Sequence, residues 1–541
     1  MRHLLASAAI ALALPALARD DPPDAPRGGS MVVTCQEDVA TLDPAIGYDR
    51  QNRSMIESLF DGPMGYEPGT TTLRPELATE HRISEDGLVH TVPLRDGILF
   101  HDGREITAED VKDSLERVTN PETQSPGAGF FSMIEGFETW NAGEGDGLSG
   151  VVALDDRTIE ITLSRPDATF GHVMALNFAS IVPSEAVEES GPDLGREPVG
   201  SGAYALAEWT PGQRLVVERF KDYHRDGVPK LDRITFEIGL DPSVALLRLQ
   251  QGQADIPGDG VPPAQVLLVM EDPVQAERVA EGGQLHTGYV TTSTQMAPFD
   301  DPVLRRAVNR AIDKGRIVRM TNGRAVPANQ PLPPSMPGYA GDYEGYAFDE
   351  EGARAMLEEA GIALPIRTEV FVMNTDLNPR IAQAIEQDLS TIGIEAEIRS
   401  LAQASVIAAG GEADRAPMIW SGGMAWIADF RDPSNLYGPI LGCDGATQGG
   451  WHWSWSWYCD EALDARAVEA DSITDPERQG EREEMWRRIY VDIMEDAPWA
   501  PVFNEQSFAL KSEAVGGPDA LFVDPVYIPV FDDHIHQAGG E

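Results

Sequence analysis

The stretch IAQAIEQDLSTIGIEAEI, residues 381–398, changes its period once, at Gly393. Before the glycine, Ile381, Ile385, Leu389 and Ile392 recur every three or four residues and so share one face of a helix. After it, apolar and charged residues alternate from Ile394 to Ile398, the period of a strand with one buried face. Gly393 ends the helix, since a left-handed position just past a C-terminus costs glycine no Cβ clash. A helix delivered directly into a strand is part of a β-α-β unit, which argues for an α/β fold with parallel strands.

The pattern repeats upstream. APFDDPVLRRAVNRAIDK, residues 297–314, opens a helix at Asp301-Pro302 and turns Leu304, Val308, Ala311 and Ile312 inward. FDEEGARAMLEEAGI, residues 348–362, is capped by Asp349, carries Ala353, Met356, Leu357 and Ala360 on one face, and ends at Gly361. Residues 290–500 therefore read as one α/β lobe. At 541 residues the chain is too long for a single core, so at least one more lobe is expected.

Downstream lies PMIWSGGMAWIADFRDPSNLYGPILGCDGATQGGWHWSWSWYC, residues 417–459. Pro417 to Trp420 reads as a buried strand, broken by Gly422 and Gly423 into a loop that carries Trp426 and Asp429. Asp432 then caps a helix whose first residue is Pro433. A carboxylate such as Asp429, desolvated on a strand-to-helix loop, calls for a cation; a turn or capping role is the other use of that position.

Residues 1–20, MRHLLASAAIALALPALARD, have the charged start, the apolar stretch from Leu4 to Leu14 and the Ala16-Leu17-Ala18 site of a signal peptide spanning 1–18. No cysteine follows at once, so the expected product is released, most simply into a Gram-negative periplasm. Residues 19–30, RDDPPDAPRGGS, read as a disordered lead-in, and Met31 to Cys35 as the first strand. Three cysteines without a C-x-x-C pair suit an oxidising compartment better than a metal. Cys443 and Cys459 can close a loop around the tryptophan run, which leaves Cys35 as a buried small residue.

Acidic residues outnumber basic ones 89 to 41, and only five of the basic residues are lysine. Such a surface repels a polyanion, which excludes nucleic-acid binding through a basic face. It suits a saline medium or the attraction of cationic solutes. No apolar run reaches the ~18 residues of a membrane helix.

In the first half, RPELATEHRISEDGLVHTVPLRDGILFHDGREITAEDVKDSLERV, residues 74–118, predicts hairpins at Glu85-Asp86-Gly87 and Arg95-Asp96-Gly97. A helix follows, with Thr107 and Asp110 as a capping box and Val111, Leu115 and Val118 on one face. Ser54 to Phe60 reads as a short amphipathic segment. The spacing LA…SEDGL…LRDGILFHDGREITAEDV resembles the dipeptide and oligopeptide substrate-binding proteins of ABC transporters, extracellular solute-binding family 5. Further blocks agree in the same order: TLDPA at 41–45, PVGSGAYALAEWTPG at 198–212 and KLDRITFEIGLDPSVALLRLQQGQADI at 230–256, then the helices already described. The resemblance covers nearly all of the mature chain.

It implies a two-lobed periplasmic-binding-protein (Venus flytrap) fold of α/β class. Lobe I would comprise 31–288 plus 506–541, with a subdomain inserted at about 75–195, and lobe II 289–505. The chain would cross between lobes near Leu285–Thr292 and Pro501–Leu510, and the tail would return to lobe I. A monomer would close over a small-molecule or peptide ligand and dock on the permease subunits of an ABC importer, without a cofactor, a metal or catalysis of its own.

Trp426-Ile427-Ala428-Asp429 with Asp432-Pro433 matches the family's W-x-A-D motif, in which the Asp pairs with a peptide's α-amino group. The resemblance thus implies Asp429 as amine partner and Trp426 as a pocket wall, with Ile427 and Gly423 on the same loop. Tyr48 and Asp49 fall where relatives contribute first-lobe contacts. The Cys443–Cys459 pair matches a disulfide of the dipeptide-binding relatives. Inside it Trp451, Trp453, Trp455 and Trp457 alternate, so an extended chain would put them on one face, either walling a pocket or packing a pinned hairpin.

One departure narrows the ligand. Dipeptide-binding relatives hold the ligand carboxylate with an arginine that is missing from Phe371 to Asn374, and Arg380 lies too far into its helix. Longer peptides or a non-peptide cationic solute fit better than dipeptides. A metal-chelate or oligosaccharide receptor is the alternative on this scaffold; a secreted hydrolase, or a periplasmic chaperone or signalling receptor, is the alternative outside transport. The hydrolase lacks a nucleophile elbow, a zinc motif or a phosphate loop to support it. His534-x-His536 beside Asp532 and Asp533 reads as a solvated tail feature.

Overall fold

The computed structural model describes residues 26–516 apart from 69, 376 and 447–452, and in the tail 523, 524, 526 and 535–538. The expected signal segment, most of the lead-in, Trp451 and His534 lie outside the described residues. Two large sheets organise the molecule. The first has the order Ile256–Pro257, Ser30–Cys35, Arg233–Ile238, Arg214–Arg219, Tyr204–Thr210, parallel over its first three strands and antiparallel over the rest. Met31, Val33, Leu215, Val217, Ile234 and Phe236 build its core. Cys35 is buried there as a free thiol, its pKa raised first by burial and then by Asp259 and Asp38.

The second sheet has the order Ala325–Pro327, Trp499–Leu510, Val279–Thr292, Met418–Trp420, Ile366–Met373, Ile394–Leu401. Ile366–Met373 pairs in parallel with Ile394–Leu401 through the helix Asn378–Thr391, the unit announced by the change of period at Gly393. Ile381, Ile385, Leu389 and Ile392 are all buried, and Gly393 takes φ +86°, the left-handed conformation that ends the helix. Leu304, Val308 and Ala311 of the helix Pro302–Ala311 complete the same core.

A four-stranded antiparallel sheet, Arg82–Ile83, Val89–Pro93, Thr158–Thr162, Val151–Asp155, carries a separate core with Val111, Leu115 and Val118 of the helix Ala108–Thr119. The Thr107–Asp110 capping box forms as read, and Arg104 clamps Asp110 with two hydrogen bonds of 3.0 and 2.5 Å. The hairpin expected at Arg95–Gly97 does not join two strands. Asp96-Gly97 is only a turn, because Val89–Pro93 finds its partner at Thr158–Thr162, far along the chain.

Two long strands, Val279–Thr292 and Trp499–Leu510, pair antiparallel and run from one core to the other. At one end Val279, Phe508 and Leu510 pack on Leu246, Leu249 and Val261. At the other, Val290, Ala500 and Val502 belong to the core of the second sheet. The pairing slips between Gly283 and Thr287 and again at Gly288/Tyr289, midway between the cores. In the tail, Val515 and Ile535 pack into the first core, whereas Val526 sits beside Leu285 and Tyr289 of the crossing strand. Among the described residues no helix is long and apolar enough to cross a membrane.

Candidate functional site: the seam between the lobes

The helix Arg50–Leu59 starts earlier than the amphipathic segment read from the sequence, because the Asp49 carboxylate accepts from the Asn52 N–H at 2.9 Å and caps it. Asp49 is thus a cap. The extra turn contributes Arg53, whose guanidinium reaches across to the loop 421–433. Its Nη1 lies 3.2 Å from Asp429 Oδ1 and its Nη2 donates to the Asp429 carbonyl at 2.6 Å.

The loop itself is held on its own side. The Asp429 N–H donates to Asn435 Oδ1 at 2.7 Å, the Ala428 N–H donates to the Leu285 carbonyl at 3.2 Å, and Ile427 bridges His286 of the crossing strand. Asp429 is therefore 5% exposed, and burial raises its pKa against the opposing charge of Arg53 and the nearby Tyr48 hydroxyl. Its second oxygen, Oδ2, is buried and makes no hydrogen bond. Tyr48 stands at the rim, 39% exposed, its phenol pushed up by burial and then by the Asp429 charge.

Two residues on, Arg431 makes the second bridge. Its Nη2 lies 2.6 Å from Asp524 Oδ2, its guanidinium stacks 4.1 Å over the Tyr66 ring, and its Nη1 donates to the Thr70 carbonyl. Between the two charged residues, Phe430 enters the core of the inserted subdomain edge-on to Phe130 and stacked on His172. A salt bridge, an aromatic and a second salt bridge thus alternate along Asp429-Phe430-Arg431.

Asp432 differs from the expectation. The helix begins at Ser434, with Pro433 in the cap position. Asp432 does accept from the Ser434 N–H at 3.0 Å, but its main partner is Arg482, which holds both oxygens at 2.7 and 2.8 Å and also reaches Asp471 at 2.7 Å. Burial alone would raise the Asp432 pKa; Arg482 overrides it and holds the carboxyl at about 2. Asp471, desolvated and beside the Asp432 charge, is pushed up to about 8.

Trp426 is half-buried, donates Nε1 to Asn435 Oδ1 at 3.3 Å and meets Trp453 edge-on, so it packs within the second lobe beside the seam. Gly423 is exposed at φ +75°, and a Cβ there would come within 2.6 Å of Met373 Cε. Cys443 and Cys459 form the disulfide. The described tryptophans inside it do not share a face. The Trp457 N–H bonds the Ser454 carbonyl and Trp457 takes φ +53°, which folds the chain into a turn. Trp453 goes to Trp426, Trp455 into a cluster with Phe371 and Val406, and Trp457 donates to the Gly410 carbonyl at 3.2 Å. Arg380 lies exposed in the first turn of its helix.

Behind Arg53 lies a cavity of about 130 Å³, walled by lobe I and closed by Arg431 and Asp524. It is lined by charged groups, among them Glu57, Arg74, Glu76 and Arg225. Ligand atoms of Asp61, Glu76 and His224 lie within 4.8 Å of one another, the geometry of a cation site. That group is already engaged, however: His224 Nε2 lies 3.1 Å from Asp61 Oδ2, and Arg74 holds Glu76 at 2.6 Å. Sequence reading missed Arg53, Glu57, Arg431 and Asp524. Their only signal was four-residue spacing for the first pair and adjacency to the W-x-A-D motif for Arg431.

Two α/β lobes joined by a pair of crossing strands, with a charged seam between them and a lobe I cavity opening beside it, define a flytrap-type solute-binding protein. A profile of the bacterial extracellular solute-binding proteins, family 5 Middle, matches residues 72–448, and the chain belongs to that family. A glutathione-binding protein GsiB from Pectobacterium atrosepticum is 28% identical over 91% of this chain and 92% of its own length. The solved structure of a clavulanic acid biosynthesis oligopeptide binding protein 2 superposes with a TM-score of 0.84 at 26% identity, over 95% of this chain and 96% of that one. A Helicobacter pylori DppA in complex with the peptide STSA superposes with a TM-score of 0.74 at 24% identity, over 95% and 99%, a likeness of fold.

Proposed function

We propose that this protein is the periplasmic receptor of an ABC importer and captures peptides, or a related amine-bearing solute, between lobe I (31–288 plus 506–541) and lobe II (289–505). It is exported by the segment 1–18, works as a monomer and hands its solute to the membrane permease. Two relatives named for glutathione or oligopeptides support the solute class. The observation that carries the binding role is Asp429: a carboxylate buried at the seam, with one oxygen on Arg53 and the other without a hydrogen bond. A buried acceptor left unmade is costly, and a ligand ammonium would satisfy it. Trp426, Ile427, Gly423 and Tyr48 frame that position, and Ile427 offers main-chain groups beside the crossing strand for strand-like contact with a peptide backbone.

The test is calorimetric titration with a panel of free and N-acetylated tripeptides. Free peptides are expected to bind, and acetylation to abolish binding. Asp429→Asn should weaken binding by ~2–5 kcal/mol, the usual cost of truncating one side of a buried charge pair. Equal affinity of Asp429→Asn and the unaltered protein for the same free peptide rules out the amine role.

A further inference from the structure

Glu57 follows Arg53 by four residues, one turn along the same face of the helix Arg50–Leu59. It is the one residue of that helix segment's buried run, 52–60, that remains exposed, yet it lines the cavity behind Arg53. The surface it exposes is the cavity wall. The charges that act on it most, Asp524, Arg431, Arg53 and Arg74, line the same cavity.

The arginines there are already engaged. Arg53 holds Asp429, Arg431 holds Asp524, Arg74 holds Glu76, and Arg225 lies 3.8 Å from Glu76. Among the described residues, the Glu57 carboxyl group makes no hydrogen bond and no ion pair. An anionic guest would have to pull an arginine from its carboxylate. A cationic guest finds an unpaired carboxyl group that it can ionise, with the rings of Phe60, Tyr66 and Tyr223 lining the same cavity.

From this we infer that the cavity is a subsite for a cationic side group of the solute, an ammonium or a guanidinium, with the Glu57 carboxylate as its partner. The inference rests on the receptor reading above and narrows its substrate class. A solute whose amine meets Asp429 on one side of Arg53 places a flexible basic arm on the other side, one helical turn away. The cavity is close to the ~150 Å³ that accommodates a benzene ring, enough for a butylammonium or guanidino group.

Titration supplies a second signature. Desolvation, helped by Asp524 and opposed by Arg431, Arg53 and Arg74, pushes the Glu57 carboxyl up to about 8. The other charged groups lining the chamber are Asp61, which pairs with His224 behind the wall, Glu67, Glu76 and Arg225. At pH 7 the empty site therefore holds a proton that a bound cation would expel.

The experiment compares Ala-Lys-Ala and Ala-Arg-Ala with the neutral Ala-norleucine-Ala, and agmatine and cadaverine as free cations, by calorimetry in buffers of different ionisation enthalpy. The unaltered protein should prefer the basic tripeptides by about tenfold or more, the usual worth of a hydrogen bond to a charged group, and release up to one proton on binding them. In Glu57→Gln, and in Glu57→Ala as a second variant, both the preference and the proton release should vanish. No basic preference in the unaltered protein, or a preference that persists in both variants, overturns the subsite. Equal binding of basic and neutral tripeptides removes the subsite and leaves the peptide receptor intact. Glu57-dependent binding of agmatine or cadaverine without any tripeptide keeps the subsite and removes the peptide reading.

Discussion

Arg482 shows how a single side chain organises the region beneath the seam. It is 1% exposed and shared between Asp432 and Asp471; it favours the charged form of both, while burial and the Asp432 charge still push Asp471 up. Breaking such a pair leaves a buried charge uncompensated, so Arg482→Met is expected to destabilise the protein by ~3–5 kcal/mol, read from urea unfolding. Restoring neutrality as well, with Asp432→Asn and Asp471→Asn in the same chain, should recover part of that loss. If the single variant unfolds at the same urea concentration as the parent, the network carries no stability. In the sequence Asp432 reads as the cap because Asp-Pro is a local signal; the structure keeps its bond to the Ser434 N–H but puts Pro433 in the cap position. Its tie to Arg482 was not legible in the sequence, because fifty residues separate the two and the chain is full of acids.

At the scale of elements, the inserted subdomain carries a histidine pair that ties its stability to pH. His81 Nε2 and His90 Nδ1 are 2.8 Å apart, and His90, fully buried, meets Phe170 edge-on. Burial lowers the His81 pKa to about 4 and that of His90, which also feels His81, to about 3. Both folded values lie below the unfolded one, so the folded state prefers the neutral rings. This contribution is fully present above pH ~6.5 and is lost as pH falls from there toward 3–4. The thermal midpoint should therefore fall between pH 7 and pH 4, and His90→Phe should flatten that fall; an unchanged slope in His90→Phe would assign it to other groups. The strand Val89–Pro93 was readable as a run between two turn signals. Its pairing with Thr158–Thr162 was not, since the local turn signal at Asp96-Gly97 suggested a nearer partner. The tryptophan run misled in the same way, because alternation implies one face only if the chain stays extended, and the turn at Trp457 folds it back.

For the whole molecule, closure depends on contacts that belong to neither lobe alone. Arg431 from the second lobe reaches Asp524, Tyr66 and the Thr70 carbonyl, and Phe430 enters the subdomain core. Arg431→Ala removes the first of these sets and leaves the disulfide and both sheets untouched. The ligand-free variant is expected to have a larger radius of gyration by solution X-ray scattering, and weaker solute binding, than the parent. Identical scattering curves would place the closing energy elsewhere, in the Arg53–Asp429 pair or the Phe430 contact. The large negative charge of the chain acts over longer distances; it attracts cations in general and repels polyanions, without specifying a ligand.

By itself the sequence determined what depends on neighbours along the chain. The change of period at Gly393, the Asp-Pro helix starts and the Thr107–Asp110 capping box each act within one or two turns, so each could be read where it stands. The α/β class and the family followed from their order. The tertiary structure alone decided which carboxylate meets which guanidinium. Arg53 and Asp429 are 376 residues apart, and Arg431 and Asp524 are 93 apart. Ion pairs have no period, and only the closing of two lobes brings such partners to within a few ångströms.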